Sequence, residues 1–214
     1  MILKHEKERY TFTGGRASTK SSFISIVIVV LITMFPKLNA LVVRKTAKTL
    51  RRSVFEQIVW AIDKLHLRYT KERKTGFKIP KSEVSALPIT YIRKDGTKQQ
   101  IIFAGCDDPE KIKSIKVSQG YFGILWVEEK TEFTPADLQN VRISALRGGD
   151  TFYIFESYNP PSAARHPPEE PLFVAHMSAR TSAHMSARNP ADHTSARCLL
   201  TSSEKKPFLA ISSS

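Results

Sequence analysis

The sequence predicts an α/β fold built on a largely parallel sheet. Two continuous apolar runs, Phe122–Val127 and Thr151–Phe155, have the pattern of strands covered on both faces. Between such runs lie segments whose apolar residues recur every three or four positions, as on one face of a helix. Thr134-Pro135-Ala136-Asp137 is a helix start, with threonine as cap, proline at the first position and an acid in the first turn. The 214 residues suffice for one large domain or a domain plus a tail, with a core that needs no disulfide support.

Taken in order, Tyr10–Thr13 alternates and runs into Gly14-Gly15, a short strand ending in a turn. A helix should follow from Lys20 to Phe35. Its segment Phe23–Phe35 is the most hydrophobic of the chain and, with basic residues before it, has the look of a signal-peptide core. It falls short of the ~20 apolar residues of a membrane span. Pro36-Lys37 ends it, and no small-residue cleavage pattern follows. We read it as a buried helix of a parallel α/β domain, with a membrane-anchored protein as the competing class. Ala40–Arg44 is the next strand, and Leu50, Val54, Ile58, Ile62 and Leu65 mark an amphipathic helix of about five turns. Pro88–Arg93 and Gln99–Gly105 flank Lys94-Asp95-Gly96-Thr97, a hairpin signal. The helix begun at Thr134 should end near Gly148-Gly149, and Glu156–Pro161 reads as a polar turn after the last buried strand.

From Ser162 onward the periodicity stops. The string AHMSAR occurs at 175–180 and again at 183–188, and prolines recur at 160, 161, 167, 168 and 171. Residues 1–161 are therefore expected to fold, and 162–214 to form a low-complexity, poorly structured tail. Its histidines, His166, His176, His184 and His193, are irregularly spaced, and Cys198 is the only thiol near them. Solvated histidines are the reading preferred over a metal site. The two cysteines of the chain, Cys106 and Cys198, are too few for a disulfide scaffold or a four-thiolate centre. A formal charge of +13, from 33 basic and 20 acidic residues, favours a polyanionic partner such as nucleic acid or nucleotide.

Three candidate sites lie at strand ends. Gly14–Ser22 sits between a strand and a helix, where a phosphate-binding loop needs inward N–H groups, a helix N-terminus, a lysine for the outer phosphates and a hydroxyl for Mg²⁺. Gly14, Lys20 and Ser21 hold the spacing of G-x-x-x-x-G-K-[ST], but Thr19 stands where the second glycine belongs. If that position needs φ > 0, a β-branched residue is strained there by roughly 1–2 kcal/mol, and nucleotide binding weakens tenfold or more. An ordinary Ser/Gly turn is the alternative. The second candidate is Ile124–Glu129, an apolar strand ending in Glu128-Glu129, where one carboxylate can orient Mg²⁺ and the next activate water. The third is Ser157-Tyr158-Asn159, whose polar groups can hydrogen-bond a γ-phosphate or the attacking water. Solvated polar turns are the alternatives for both.

In order, GGRASTKSS, LVVRKTAKTLRRSVFEQIVWAIDKL, IIFAGCDDPEKIKSIK, GYFGILWVEE and LRGGDTFYIFESYNPP resemble the ATPase domain of the large terminase subunit of tailed phages, of the prophage type. The resemblance covers residues 10–161. It implies a P-loop NTPase-like three-layer fold and a motor that threads double-stranded DNA into a procapsid through the portal, using ATP and Mg²⁺. It further implies a small terminase subunit as partner, a homo-oligomeric ring, no membrane, and the cytoplasm of an infected or lysogenic bacterial host. By position, Gly14, Gly15, Arg16, Ala17, Ser18, Thr19, Lys20, Ser21 and Ser22 would form the nucleotide loop. Lys20 would hold the β/γ-phosphates, Ser21 and Glu128 would hold Mg²⁺, and Glu129 would be the general base. Ser157 and Asn159 would couple hydrolysis to movement, and Arg44 is an arginine-finger candidate beside the plainer reading of a surface arginine.

The sequence departs from the family pattern at Thr19, at Lys130-Thr131, which makes the field near the paired acids more positive, and after Pro161. There the family continues into a nuclease domain with clustered metal-binding acids, which 162–214 does not supply. A truncated or frameshifted copy without nuclease activity is the expectation. A non-catalytic basic DNA-binding remnant of the same fold is the alternative to an active ATPase.

Overall fold

Runs of β-branched and aromatic residues build an eight-stranded sheet in the computed structural model, which describes residues 2–15, 18–80, 88–107, 109–160 and 174–176. The strands are β1 (Arg9–Thr13), β2 (Leu38–Arg44), β3 (Gly76–Lys78), β4 (Ile89–Ile92), β5 (Lys98–Gly105), β6 (Tyr121–Glu128), β7 (Tyr153–Tyr158) and β8 (Val174–His176). Across the sheet they lie in the order β3-β4-β5-β2-β6-β7-β1-β8. Pairings from β5 through to β8 are parallel; the β3–β4 and β4–β5 pairings at one edge are antiparallel. The largely parallel sheet expected from the sequence is the one observed.

Side chains alternate between two cores, because successive residues of a strand face opposite sides. Ala40, Val42, Ile124 and Trp126 join one cluster with Ile24, Ile28 and Ile32 of α1 (Lys20–Met34) and Ile58 and Ile62 of α3 (Glu56–Lys64). Leu41, Val43, Leu125 and Val127 join the other, with Ile112 of α4 (Pro109–Ser114) and Leu138 and Val141 of α5 (Pro135–Ala145). The result is three layers, with the sheet in the middle. α1 is the buried helix the composition called for, with Ile24, Ile28, Val29, Leu31 and Ile32 fully buried. Among the described residues no helix is long and apolar enough to cross a membrane.

Several elements differ from the sequence reading. The expected five-turn helix over 50–65 is instead α2 (Ala47–Leu50), a π-helical turn Arg51–Phe55, and α3. Its apolar residues 50, 54, 58 and 62 recur every four positions, which on an α-helix overshoots a turn by about 40° each time. The wider π turn absorbs part of that drift and keeps Leu50, Val54, Ile58 and Ile62 buried together. Glu156 and Ser157 are not in a turn but are buried residues of β7, which runs to Tyr158. β3 and α4 carry too few residues to show a period. β8 places a short strand inside the expected unstructured tail, parallel to β1; the rest of that tail lies outside the described residues. The helix at Thr134 has the full capping box: Asp137 N–H donates to Thr134 Oγ1 at 3.1 Å, and Thr134 N–H to Asp137 Oδ2 at 2.9 Å.

Candidate active site

In open parallel sheets ligands bind beyond the carboxyl ends of the strands. β1, β7 and β6 are neighbours, with Phe12 opposite Ser157 and Ser157 opposite Glu128. Their ends therefore bring the three candidate segments to one place. A cleft of about 180 Å³ is lined by Gly15, Ser18, Lys20, Ser21, Glu128, Glu129, Ser157, Tyr158 and Asn159. Of the other expected loop residues, Gly14 contributes its carbonyl, whereas Ser22 faces away, accepting from Gln57 Nε2 of α3 at 3.0 Å. Arg16 and Ala17 lie outside the described residues.

Lys20 opens α1 and is 7% exposed. Its ammonium donates to Gly14 O at 2.8 Å, Ser18 Oγ at 2.8 Å and Asn159 Oδ1 at 2.9 Å, with Gly15 O further off at 3.4 Å. Burial lowers its pKa, and the charges of Glu129 and Glu128 pull it back up. Thr19, the N-cap of α1, has φ −73° and ψ 17°. That is not the left-handed region, so the strain expected for a β-branched residue does not arise.

Glu128 ends β6 and is 8% exposed. Burial raises its carboxyl, opposed by Arg44, whose Nε lies 3.4 Å from Glu128 Oε2. Arg44 Nη1 also donates to Ser53 Oγ at 3.1 Å, and Ser53 Oγ donates to the same Glu128 oxygen at 3.4 Å. Arg44 thus contacts both Ser53 of the π turn and Glu128, which lines the cleft. Glu129 sits at φ 52°, a left-handed conformation rare outside glycine and costing on the order of 1–2 kcal/mol. Such strain clusters at functional sites. Its Oε1 accepts from Asn159 Nδ2 at 3.1 Å. Ser157 is 2% exposed, and its hydroxyl accepts from the Trp126 indole at 3.1 Å, which fixes the cleft wall to the core.

Ser21 and Glu128 supply a hydroxyl and a carboxylate to the same cleft, the hard oxygen donors that suit Mg²⁺. Among the described residues no cluster of three or more His, Cys, Asp or Glu could hold a metal. A divalent ion here would rest on those two side chains plus phosphate and water oxygens, as Mg²⁺ commonly does. The donor set fits.

Two residues escaped the sequence reading. Ser53, in a helix by pattern, lies in the π turn and contacts Arg44 and Glu128. Glu156, next to Ser157 on β7, is fully buried and touches Thr11, Arg9, Lys130 and Arg142. A lone acid at an inward position of an apolar strand was its only signal. Lys130, expected to make the field at the paired acids more positive, pairs with Glu156 at 3.2 Å.

A buried helix following β1, on a largely parallel sheet at the centre of three layers, defines an α/β domain whose candidate site lies at the carboxyl ends of its strands. Comparison with known proteins gives the family. The model for the phage terminase large subunit matches residues 6–184, and this chain belongs to that family. The large terminase subunit of Bacillus phage SPP1 is 39% identical over 158 residues, covering 72% of this chain and 34% of the relative. The large terminase of the thermophilic bacteriophage D6E superposes with TM-score 0.56 at 16% identity, over 72% of this chain and 34% of that one. A D6E structure in complex with ADP gives TM-score 0.55 at 15% identity, with the same coverage. The chain spans about a third of the length of the relatives it matches.

Proposed function

We propose that this chain is an ATP-hydrolysing motor domain of a DNA-packaging terminase large subunit, with the cleft at the ends of β1, β6 and β7 as its nucleotide site. The observation that carries the reading is the Asn159 amide, which bridges Lys20 and Glu129 and so joins the loop, the paired acids and the end of β7.

In this reading the triphosphate lies against the N-terminus of α1, where backbone N–H groups and the helix dipole favour anions. Lys20 exchanges its loop acceptors for phosphate oxygens and stabilises the charge that develops during in-line attack of water on the γ-phosphate. Glu129, held by Asn159, accepts the proton of that water. Ser21 and Glu128 would hold Mg²⁺, which when bound supplies charge neutralisation on the phosphates. Arg44 orients Glu128 from within the same chain, and is a candidate to reach the γ-phosphate. Ser157, on β7, and Asn159, just past its end, pass the change at the phosphates to the sheet.

The partners follow from the same reading: double-stranded DNA held through its phosphates with strong salt dependence, a small terminase subunit, the portal of a procapsid and a ring of copies of this chain, in the bacterial host cytoplasm. The basic charge of +13 supports the first of these. The alternative of a non-catalytic remnant rested on Thr19 together with the missing nuclease domain, and the backbone angle at Thr19 bears on the first ground alone. Mg·ATP hydrolysis by the purified chain tests the proposal. Glu129→Gln should cut turnover a hundredfold or more, the usual range for a general base. Turnover equal to wild type in that variant rejects Glu129 as the base.

A further inference from the structure

The geometry points to Glu156 as a positioning residue that holds the turn after Glu128-Glu129 in its strained conformation, an inference that rests on the nucleotide-site reading above. Glu156 is completely buried, yet a carboxylate is among the side chains that burial disfavours most unless it is paired. Its two oxygens share four partners between them. Oε1 takes the Arg142 guanidinium from α5, with Arg9 of β1 at 3.9 Å. Oε2 takes the Thr11 hydroxyl of β1 at 3.3 Å and the Lys130 ammonium at 3.2 Å. One side chain of β7 thus ties together the neighbouring strand, the helix α5 and the turn that follows Glu128-Glu129.

Lys130 opens that turn, a single 3₁₀ turn over Lys130–Glu132. Glu129 immediately before it is in the left-handed region at φ 52°. A non-glycine residue keeps such a conformation only where its surroundings over-determine it. Upstream the strand ladder does this, with Glu128 opposite Ser157. Downstream, Glu132 N–H donates to Glu129 O at 2.9 Å, Phe133 N–H donates to Lys130 O at 3.0 Å, and the Phe133 ring is buried. Phe133 anchors the far end of the turn. The Lys130–Glu156 pair anchors the near end, one residue from the carboxylate that Asn159 grips. Glu156 lies one residue before Ser157 on β7 and three before Asn159, the first residue past that strand, so the clamp and the coupling residues share one short segment.

The test uses the whole chain with Glu156→Gln, which keeps shape but removes the charge, and Lys130→Met, which breaks the same pair from its partly exposed side. Amide hydrogen exchange without nucleotide reads the turn directly. Both variants should speed exchange at Glu132 and Phe133 at least tenfold while β6 amides stay as protected as in wild type. In single-turnover hydrolysis both should lose at least tenfold in rate with Mg·ATP affinity held within about threefold, and the double variant should be no worse than either single one. Unchanged exchange at Glu132 and Phe133 in both variants overturns the clamp, even if hydrolysis is impaired. Equal loss of protection across β6 in both overturns it too, since that marks a general structural role. A wild-type chain that binds and hydrolyses nothing overturns the proposed function instead, and the exchange comparison still decides the clamp.

Discussion

The Asn159 side chain accepts the Lys20 ammonium at 2.9 Å through Oδ1. Its orientation is fixed by chemistry: lysine only donates and an ionised carboxylate only accepts, so the amide oxygen must face Lys20 and its nitrogen Glu129. The amide then lies between the group proposed to hold the phosphates and the group proposed to activate water. A γ-phosphate that draws Lys20 away must alter the hold on Glu129 as well.

Asn159→Ala should therefore separate binding from chemistry. Mg·ATP affinity is expected within about threefold of wild type, because Lys20 keeps its charge, while single-turnover hydrolysis falls at least tenfold. Loss of affinity with an unchanged hydrolysis rate would place Asn159 in ground-state binding alone.

Thr19→Gly is expected to change little. The residue sits at φ −73° and its side chain makes no capping bond to α1, so glycine neither relieves strain nor removes a partner. Mg·ATP affinity within about twofold of wild type is the expected result, and a tenfold gain would show that the loop needs a conformation threonine resists.

Much of the fold was legible because the strands are apolar runs and the sheet is covered on both faces. Thr134-Pro135-Ala136-Asp137 specified its helix start outright, down to the reciprocal cap. The loop, the paired acids and the segment after β7 were each ambiguous alone, and only the parallel pairing of β1, β7 and β6 brings them together. What stayed hidden depends on tertiary context. The π turn at 51–55 that carries Ser53, a partner of Arg44, leaves the pattern of a helix nearly intact. Glu156 looked like the first residue of a polar turn, because its cationic partners come from positions 9, 130 and 142, which no local period connects. Strain at Thr19 was inferred from residue type, and the backbone angle decides otherwise.

Asp137 closes the cap of α5 and binds Lys45 Nζ at 2.7 Å. The Lys45 hydrogen bond, followed by the Thr134 backbone, holds its carboxyl down to about 2. A depressed acid stabilises the fold above its unfolded value of 3.8, and that contribution is lost as pH falls through about 2. Asp137→Ala should destabilise the chain by ~1 kcal/mol at pH 7, as loss of a helix cap does. Urea midpoints should show the gap to wild type closing as pH drops from 4 toward 2. A gap that does not change with pH would mean that packing, not charge, is lost.

Glu128 behaves in the opposite sense. Burial raises its carboxyl above the ordinary 4.5, so the folded chain holds the proton more tightly than the unfolded one. Its contribution to stability is full below the unfolded value and is withdrawn as pH rises through the folded value. Glu128→Gln should therefore be at least as stable as wild type at pH 7, with the difference vanishing below 4.5, even as hydrolysis fails. Arg44→Met removes the main influence lowering that carboxyl and should shift the acid limb of the hydrolysis profile to higher pH. A less stable Glu128→Gln at pH 7 would mean that the Arg44 pair outweighs the penalty of burial.

The most direct test of the nucleotide site is Mg·ATP binding by calorimetry, with wild type and Lys20→Ala side by side and folding checked by circular dichroism. The account predicts saturable binding by the wild type that weakens at least a hundredfold in the variant. Equal affinity in the two well-folded proteins would contradict it, because the cleft that gathers Lys20, Glu128, Glu129 and Asn159 would then not be where the triphosphate sits.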